Sequence, residues 1–428
     1  MKTTEVEASY SLGFRQKDVE ALEEHLRLRH SIELIGMKRV GINNFLRFFL
    51  AHKNNHKDPN NLFIMVDLNA LIEREIFPFW RLTFKRITDA VTASSADEKV
   101  KSRISALFDS SIQSGDLFLT YDGVREALQI LGREHMNPTI FLTRFDRLQD
   151  VITPEFFDNL QNLKDASDHK LSYVFTSFRE LEQLSPTIFH NKSLSNFSQI
   201  HYLRPATDKD MEIILTTFEQ KYEIHIEEEL RQKLITLSGG HVQYLQLSSI
   251  IYYETMKKGG NDQEFLAMLP DDERITLLSE ELWESLTTEE QLVLKKVWQG
   301  DPVSIEERQK AKYLWDTGFI GEGGVKRVFS ELFAHYLDYI IKEQQSTSLH
   351  DFTKKEFTLF SFLQAHTDEV CERDAIIETV WPEYKELGVS DWSVDKLVAR
   401  VRNKLKKQNS PYHIVTIKTR GYKLMSTQ

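Results

Sequence analysis

Short apolar runs alternate along the first half of the chain with longer stretches in which apolar residues return every three or four positions. The runs are Ile32–Ile35, Leu62–Val66, Thr139–Leu142, Ser172–Phe175 and Ile200–Leu203. Helical periodicity fills residues 42–53, 70–92, 99–113, 122–134 and 155–164 between them. A charged amphipathic helix precedes them over residues 15–30, with Val19, Leu22, Leu26 and Leu28 as its apolar positions. Strand and helix in repetition predict a parallel sheet with helices on both faces. Residues 207–280 read as helical, opening on Thr207 as a cap with acids in the first turn. Residues 287–341 predict a small helical domain with a hairpin at Gly321–Gly324. The polar stretch Glu343–His350 has no periodicity and predicts a linker to a last domain.

Within that last domain the spacing predicts a helix over Ser393–Lys407, with Ser393 as its cap. At about 100° per residue, Val394, Leu397, Val398, Val401 and Leu405 form one stripe. Lys396, Ala399, Arg400, Asn403 and Lys407 lie opposite, flanked by Arg402, Lys404 and Lys406. A β-rich run, Tyr412–Ile417, then leads through Lys418 and Arg420 into Tyr422–Leu424, a hairpin with a cationic tip. Lys, Arg and Asn are the side chains that contact phosphates and base edges. A cationic tip suits a narrow minor groove. The candidate DNA contacts are Ser393, Lys396, Arg400, Arg402, Asn403, Lys404, Lys407, Lys418 and Arg420. A solvated basic helix face is the plain alternative; helix followed by hairpin favours double-stranded DNA as the partner.

Charge sharpens this reading. The 428-residue chain carries a net charge of -11, yet from Lys396 onward nine basic residues occur with no Asp or Glu. A local basic segment on an acidic protein is an electrostatic footprint for nucleic acid. Composition otherwise excludes classes. Hydrophobic content of 41% and charged content of 28% are ordinary for a globular protein. No run long enough to span a membrane occurs, and the first residues lack the apolar core of a signal peptide, which predicts a cytoplasmic protein. Cys371 is the single cysteine, so no internal disulfide or cysteine-based zinc cluster can form; its context predicts a structural thiol. His52 and His56 are four apart but lack a third ligand between them, and His201 shows no ligand pattern, so no metal site is predicted.

The segment Ile32–Leu46 has strand, loop, helix form. Gly36 and Gly41 carry the spacing of a phosphate-binding loop, G-x-x-x-x-G-K-[ST]. The Lys position is Ile42 and the Ser/Thr position is Asn43. The acidic pair expected at the second strand end is replaced by Thr143-Arg144. Mg²⁺ wants carboxylates, and an arginine cannot serve as a base towards water. Gly36, Lys38, Gly41 and Asn43 are therefore the candidates for a degenerate nucleotide site. The readings left open are a tight turn without ligand, ATP or ADP held without hydrolysis, and turnover. His241 reads as a packing or cap residue rather than a catalytic one.

Two families are resembled. Residues 352–425 resemble the winged-helix effector domain of OmpR/PhoB-type response regulators. The carrying residues are Phe352-Thr353-Lys354-Lys355-Glu356-Phe357, Arg373, Ile376, Val380-Trp381, Ser393-Val394-Asp395, Arg400, Arg402, Lys404-Leu405 and Gly421-Tyr422-Lys423-Leu424. The resemblance implies a recognition helix in the major groove, with contacts at Lys396, Arg400 and Arg402, and a wing contact at Lys418. One glycine of the family's wing is replaced at Lys418-Thr419-Arg420-Gly421-Tyr422, which restricts its backbone. No phosphoacceptor domain is read, since no acidic pair precedes Asp67.

Residues 20–340 resemble STAND-type, AAA-like NTPases. The carrying residues are the degenerate loop, Phe145-Asp146-Arg147-Leu148, Tyr173–Ser177 with Arg179-Glu180-Leu181, Tyr202–Pro205, Leu237–His241 and Phe329–Phe333. The resemblance implies a P-loop-like α/β domain over 1–205, a helical lid over 206–285 and a small winged-helix-like domain over 286–345, ahead of the DNA-binding domain at 346–428. No catalytic residue is assigned, so the body reads as a pseudo-ATPase. The expected function is DNA-binding regulation, with the body as sensor, scaffold or oligomerisation platform. The alternatives are a nucleotide-controlled switch in a defence or stress pathway, and a protein that recruits a partner through residues 70–113 and 207–280.

Overall fold

Three strands of the N-terminal sheet are buried almost without a break, and two are buried only in part. That difference sorts them into centre and edge. β1 (Ser31–Ile35) and β4 (Ser172–Ser177) are buried at every position, and β3 (Asn137–Thr143) at all but its first. β2 (Asn61–Asp67) buries alternate residues, and β5 (Ser198–Tyr202) keeps a half-exposed run. In the computed structural model all five pair in parallel, in the order β2-β3-β4-β1-β5. The structure describes residues 6–53, 60–186, 197–321, 328–345, 352, 354–381, 391–407, 410–417 and 420–426. It falls into two compact units, Met1–Asp338 and Tyr339–Gln428. The division lies within a helix, Glu331–Gln345, whose periodicity carries it past the start of the expected linker at Glu343.

In the first unit, α1 (Gln16–Arg27) precedes the sheet and α2 (Ile42–Lys53) follows β1. α3 (Ile76–Ala93), α4 (Glu98–Ser114) and α5 (Leu117–Arg133) lie between β2 and β3. α6 (Pro154–Ala166) precedes β4 and is capped by Thr153 with Pro154 in its first turn. Two expected boundaries move. α3 starts at Ile76 rather than near 70, because Leu68–Ala70 form a short 3-10 turn capped by Asp67. α5 starts at Leu117 rather than 122, because the Asp116 side chain accepts a hydrogen bond from the Leu119 amide.

Five helices follow: α7 (Asp208–Tyr222), α8 (Glu228–Ser238), α9 (Val242–Lys257), α10 (Asp262–Met268) and α11 (Glu273–Glu284). Thr207 caps α7 in a reciprocal capping box with Asp210, as its position predicts. α12 (Thr288–Gln299) and α13 (Ile305–Lys310) then lead to the Glu331–Gln345 helix, α14. The tip of the hairpin expected at Gly321–Gly324 lies outside the described residues; an antiparallel bridge joins Ile320 to Val328. A buried ion pair ties this last part to the sheet. Both Arg179 terminal nitrogens reach Glu290 at 2.6 Å, one also donates to the Ser285 carbonyl at 2.6 Å, and the guanidinium lies over the Tyr313 ring.

The second unit holds α15 (Lys354–Ala365), β6 (Cys371–Glu372), α16 (Arg373–Val380), α17 (Asp391–Lys407), β7 (Tyr412–Ile417) and β8 (Gly421–Ser426). Among the described residues three helices pack on a three-stranded antiparallel sheet, β6-β8-β7, whose β7–β8 pair is the expected hairpin. Leu359, Leu363, Ile376, Trp381, Val394, Leu397, Val401 and Leu424 form the core. Cys371 is buried there, and burial pushes its thiol up, as suits a structural residue.

Candidate nucleic-acid interface and anion pocket

The five-residue stripe read from α17 is the buried one. Val394, Leu397, Val398, Val401 and Leu405 are each at most 3% exposed. The opposite surface therefore faces outward, with Asn403 and Lys406 exposed and Lys396 half-buried. Arg400, Arg402 and Lys404 are engaged within the domain. Arg402 donates from Nε to the Ile414 carbonyl at 2.9 Å and from Nη2 to Thr416 Oγ1 at 3.1 Å, which braces the hairpin against the helix. Lys404 Nζ lies 2.7 Å from Glu356 Oε2, and Arg400 Nε lies 3.8 Å from Glu356 Oε1. Glu356 sits on α15 and is 1% exposed. A buried carboxylate is tolerated when cations pair with it, and these two do so.

The helix begins at Asp391, so Ser393 lies in its first turn and is not the cap. Acidic residues suit that end of a helix, and Asp395 stands near it. Asp395 pairs with Arg373 at 2.5 Å and accepts a bond from the Tyr422 hydroxyl, tying the start of the helix to α16 and β8. The side chains of Ser393 and Lys407, and Lys418 and Thr419 entirely, lie outside the described residues. Arg420 is exposed at the turn. Gly421 has φ 149°, and a Cβ there would stand 2.1 Å from the Cys371 carbonyl oxygen; β8 passes β6 too closely for a side chain.

The second candidate lies at the carboxyl ends of β1, β3 and β4, where α/β sheets bind ligands. A cavity of about 470 Å³ opens there, lined by Gly36, Lys38, Gly41, Asn43, Arg144 and Asp146, among others. It brings all four predicted residues together. A Cβ on Gly36 would meet the Leu203 carbonyl oxygen and Val40 at 2.8 Å. Gly41, at φ 108°, leaves 2.6 Å between such a carbon and Val242 at the start of α9. Packing alone thus accounts for both glycines. Lys38 is half-buried over the Phe178 ring, and Arg39 pairs with Glu281 of α11 at 3.2 Å.

Sequence reasoning missed what Arg144 touches. Its Nη1 lies 2.7 and 2.8 Å from the two carboxylate oxygens of Asp67, at the end of β2. Its amide donates to Thr176 Oγ1 at 2.9 Å. Arg147 donates to Asn69 at 2.9 Å. Asp146 is half-buried, and its desolvation raises its carboxyl above the usual carboxylate range. The signal for the pair was an aspartate and an arginine at the ends of two strands that a parallel sheet would make neighbours. His241 is buried and caps α9; its Nδ1 accepts from the Tyr244 amide, and its Nε2 donates to the Lys38 carbonyl at 2.9 Å. Buried Arg15 joins the same loop, donating to the carbonyls of Val40 and Arg204. His52 bonds through Nδ1 with the Phe48 carbonyl of its own helix.

Residues 347–424 match the family described as "Transcriptional regulatory protein, C terminal". The second unit carries its winged helix of OmpR/PhoB type. Among curated proteins no match is found. Among solved structures, a Walker-type ATPase of Pyrococcus abyssi aligns at 14% identity over 76% of this chain and 95% of its own, with a TM-score of 0.47. The Aeropyrum pernix ORC2 protein, solved in ADPNP–ADP complexes, aligns at 11% identity over 78% and 95%, with a TM-score of 0.45. The Thermotoga maritima RuvB Holliday junction branch migration motor aligns at 12% identity over 80% and 100%, with a TM-score of 0.39. The parallel strand order and the helices between the strands make the first unit an α/β fold, whose loop after β1 has the glycine spacing of a phosphate-binding loop. Among the described residues no helix is long and apolar enough to cross a membrane.

Proposed function

We propose that this chain is a DNA-binding transcriptional regulator. Its α17 reads the duplex, and its ATPase-like unit serves as a sensor or scaffold that does not hydrolyse nucleotide. One observation carries the reading. The apolar stripe of α17 is fully buried within a domain of the matched family, so the helix offers Lys396, Asn403 and Lys406 outward on a segment without acids. Such a face suits a major groove. Non-hydrolysis is supported by Asn43 at the hydroxyl position and Arg144 at the acidic strand end.

The test starts with selection of bound duplexes from a random pool, with and without ATP. Anisotropy titrations of the selected duplex follow over a range of salt. Replacing Lys396 and Lys406 by Ala is expected to weaken binding and to flatten the dependence of log K on log salt by roughly 1 for each phosphate no longer neutralised. Unchanged affinity and slope in the double variant would remove α17 as the reading element. Release of phosphate from ATP at a rate set by protein concentration would refute the non-hydrolysing body.

A further inference from the structure

The anion pocket has the wrong chemistry for a divalent cation and the right chemistry for what such a cation normally accompanies. Magnesium in a phosphate site is held by one or two carboxylates, a hydroxyl and waters. Here Asp67 has both its oxygens taken by Arg144, and the hydroxyl position is Asn43. Asp146, a carboxylate of the lining, stands among Lys38, Arg144 and Arg147. A metal ion would have to displace a guanidinium from Asp67 and then sit among cations. The residues present do not fit it.

They do fit phosphate. Lys38, Arg39, Arg144 and Arg147 face the cavity against Asp146 and Glu281, and Arg39 and Glu281 already pair. The backbone turns at Gly41 into α2, whose first residues Ile42, Asn43 and Asn44 also line the cavity. A cavity of about 470 Å³ is within the range that small ligands fill. Guanidinium groups bind phosphate with two parallel donors, so they can replace a metal as well as neutralise charge.

We infer that the pocket takes a polyphosphate-bearing anion without a divalent metal, with Lys38, Arg144 and Arg147 supplying the countercharge. The inference rests on the non-hydrolysing reading of the body and goes beyond it, by naming the ligand chemistry and the groups that replace the ion. The bound anion draws Arg144 from Asp67. It also touches the wall formed by Gln243 and Glu281, on α9 and α11. An occupied pocket is therefore felt in the helical part of the unit.

Calorimetry on the full chain tests this with ADP, ATP and inorganic pyrophosphate, each with magnesium and with EDTA. The expected result is binding whose Kd changes less than about twofold between the two conditions, with pyrophosphate competing against ADP. Arg144→Ala and Lys38→Ala each weaken it by about tenfold or more, the weight of one charge-assisted hydrogen bond. Asp67→Asn tightens it by releasing Arg144. Thermal unfolding checks each variant, and Arg147→Ala replaces any that fails to fold. Failure of all three ligands to bind, binding that needs magnesium, or binding indifferent to these variants would overturn the inference. Magnesium-dependent binding without turnover sinks this inference alone, whereas turnover sinks the non-hydrolysing reading beneath it. Binding of the nucleotides but not of pyrophosphate would show that the base is recognised rather than the phosphates, and would also overturn it.

Discussion

At the scale of single residues, His241 shows how a side chain can be read correctly in kind and missed in consequence. Its place after a Gly-Gly pair marks it as a cap, and it caps α9. Its second nitrogen, bonded to the Lys38 carbonyl, is what joins that cap to the loop after β1. Burial pushes this imidazole down to about 4. In the unfolded chain a histidine titrates near 6.5. The folded value is the lower one, so the unfolded state takes up the proton first as pH falls. The stabilisation is complete above about pH 6.5 and is lost between there and about 4, on the order of 3 kcal/mol. Chemical denaturation from pH 7 to 4.5 should show this slope in the parent and about one proton less of it in His241→Gln. Equal slopes would mean that the imidazole titrates normally.

At the scale of elements, most of the architecture was legible. Strands read as short, largely apolar runs, and the stripes of α2, α4 and α17 fell at helical spacing, because burial imposes those periods directly on the residues. What was not legible is which distant side chains meet. Asp67 and Arg144 are 77 residues apart, and Arg179 and Glu290 are 111 apart. No local pattern marks either pair. Arg402 is expected at the groove because it flanks the basic face and because the resemblance to the winged-helix family implies it. Its partners, Ile414 and Thr416, belong to a hairpin whose position is decided by packing. The Arg179–Glu290 pair joins β4 to the start of α12, where Glu290 also accepts from the Thr287 amide. Arg179→Ala strands a buried carboxylate and should cost about 3–5 kcal/mol in urea unfolding. The Arg179→Ala/Glu290→Ala double variant should lose less than the sum of the two single ones. Strict additivity would show that the two do not act as a pair.

At the scale of the whole molecule, the two units carry separate cores, which predicts that damage to one stays in it. Gly421→Ala places a Cβ against the Cys371 backbone at a φ that side chains avoid. It should destabilise the C-terminal unit by roughly 3 kcal/mol or more, through a combination of strain and collision. Calorimetric scanning should then show the transition of that unit lowered by several degrees and the other unmoved. A shift of both together would mean that they unfold as one. Glycine in this position was readable as part of a family pattern; the reason for it, a neighbouring strand at van der Waals distance, was not.

The bracing of Arg402 against β7 has a mechanical meaning. A helix and a hairpin latched together ahead of any encounter behave as calipers with a set opening. On the proposed reading of the duplex by α17, the polymer rather than the protein would bend or twist to match that opening, and sequences whose groove widths already suit it should be favoured, even at base pairs that no side chain reaches.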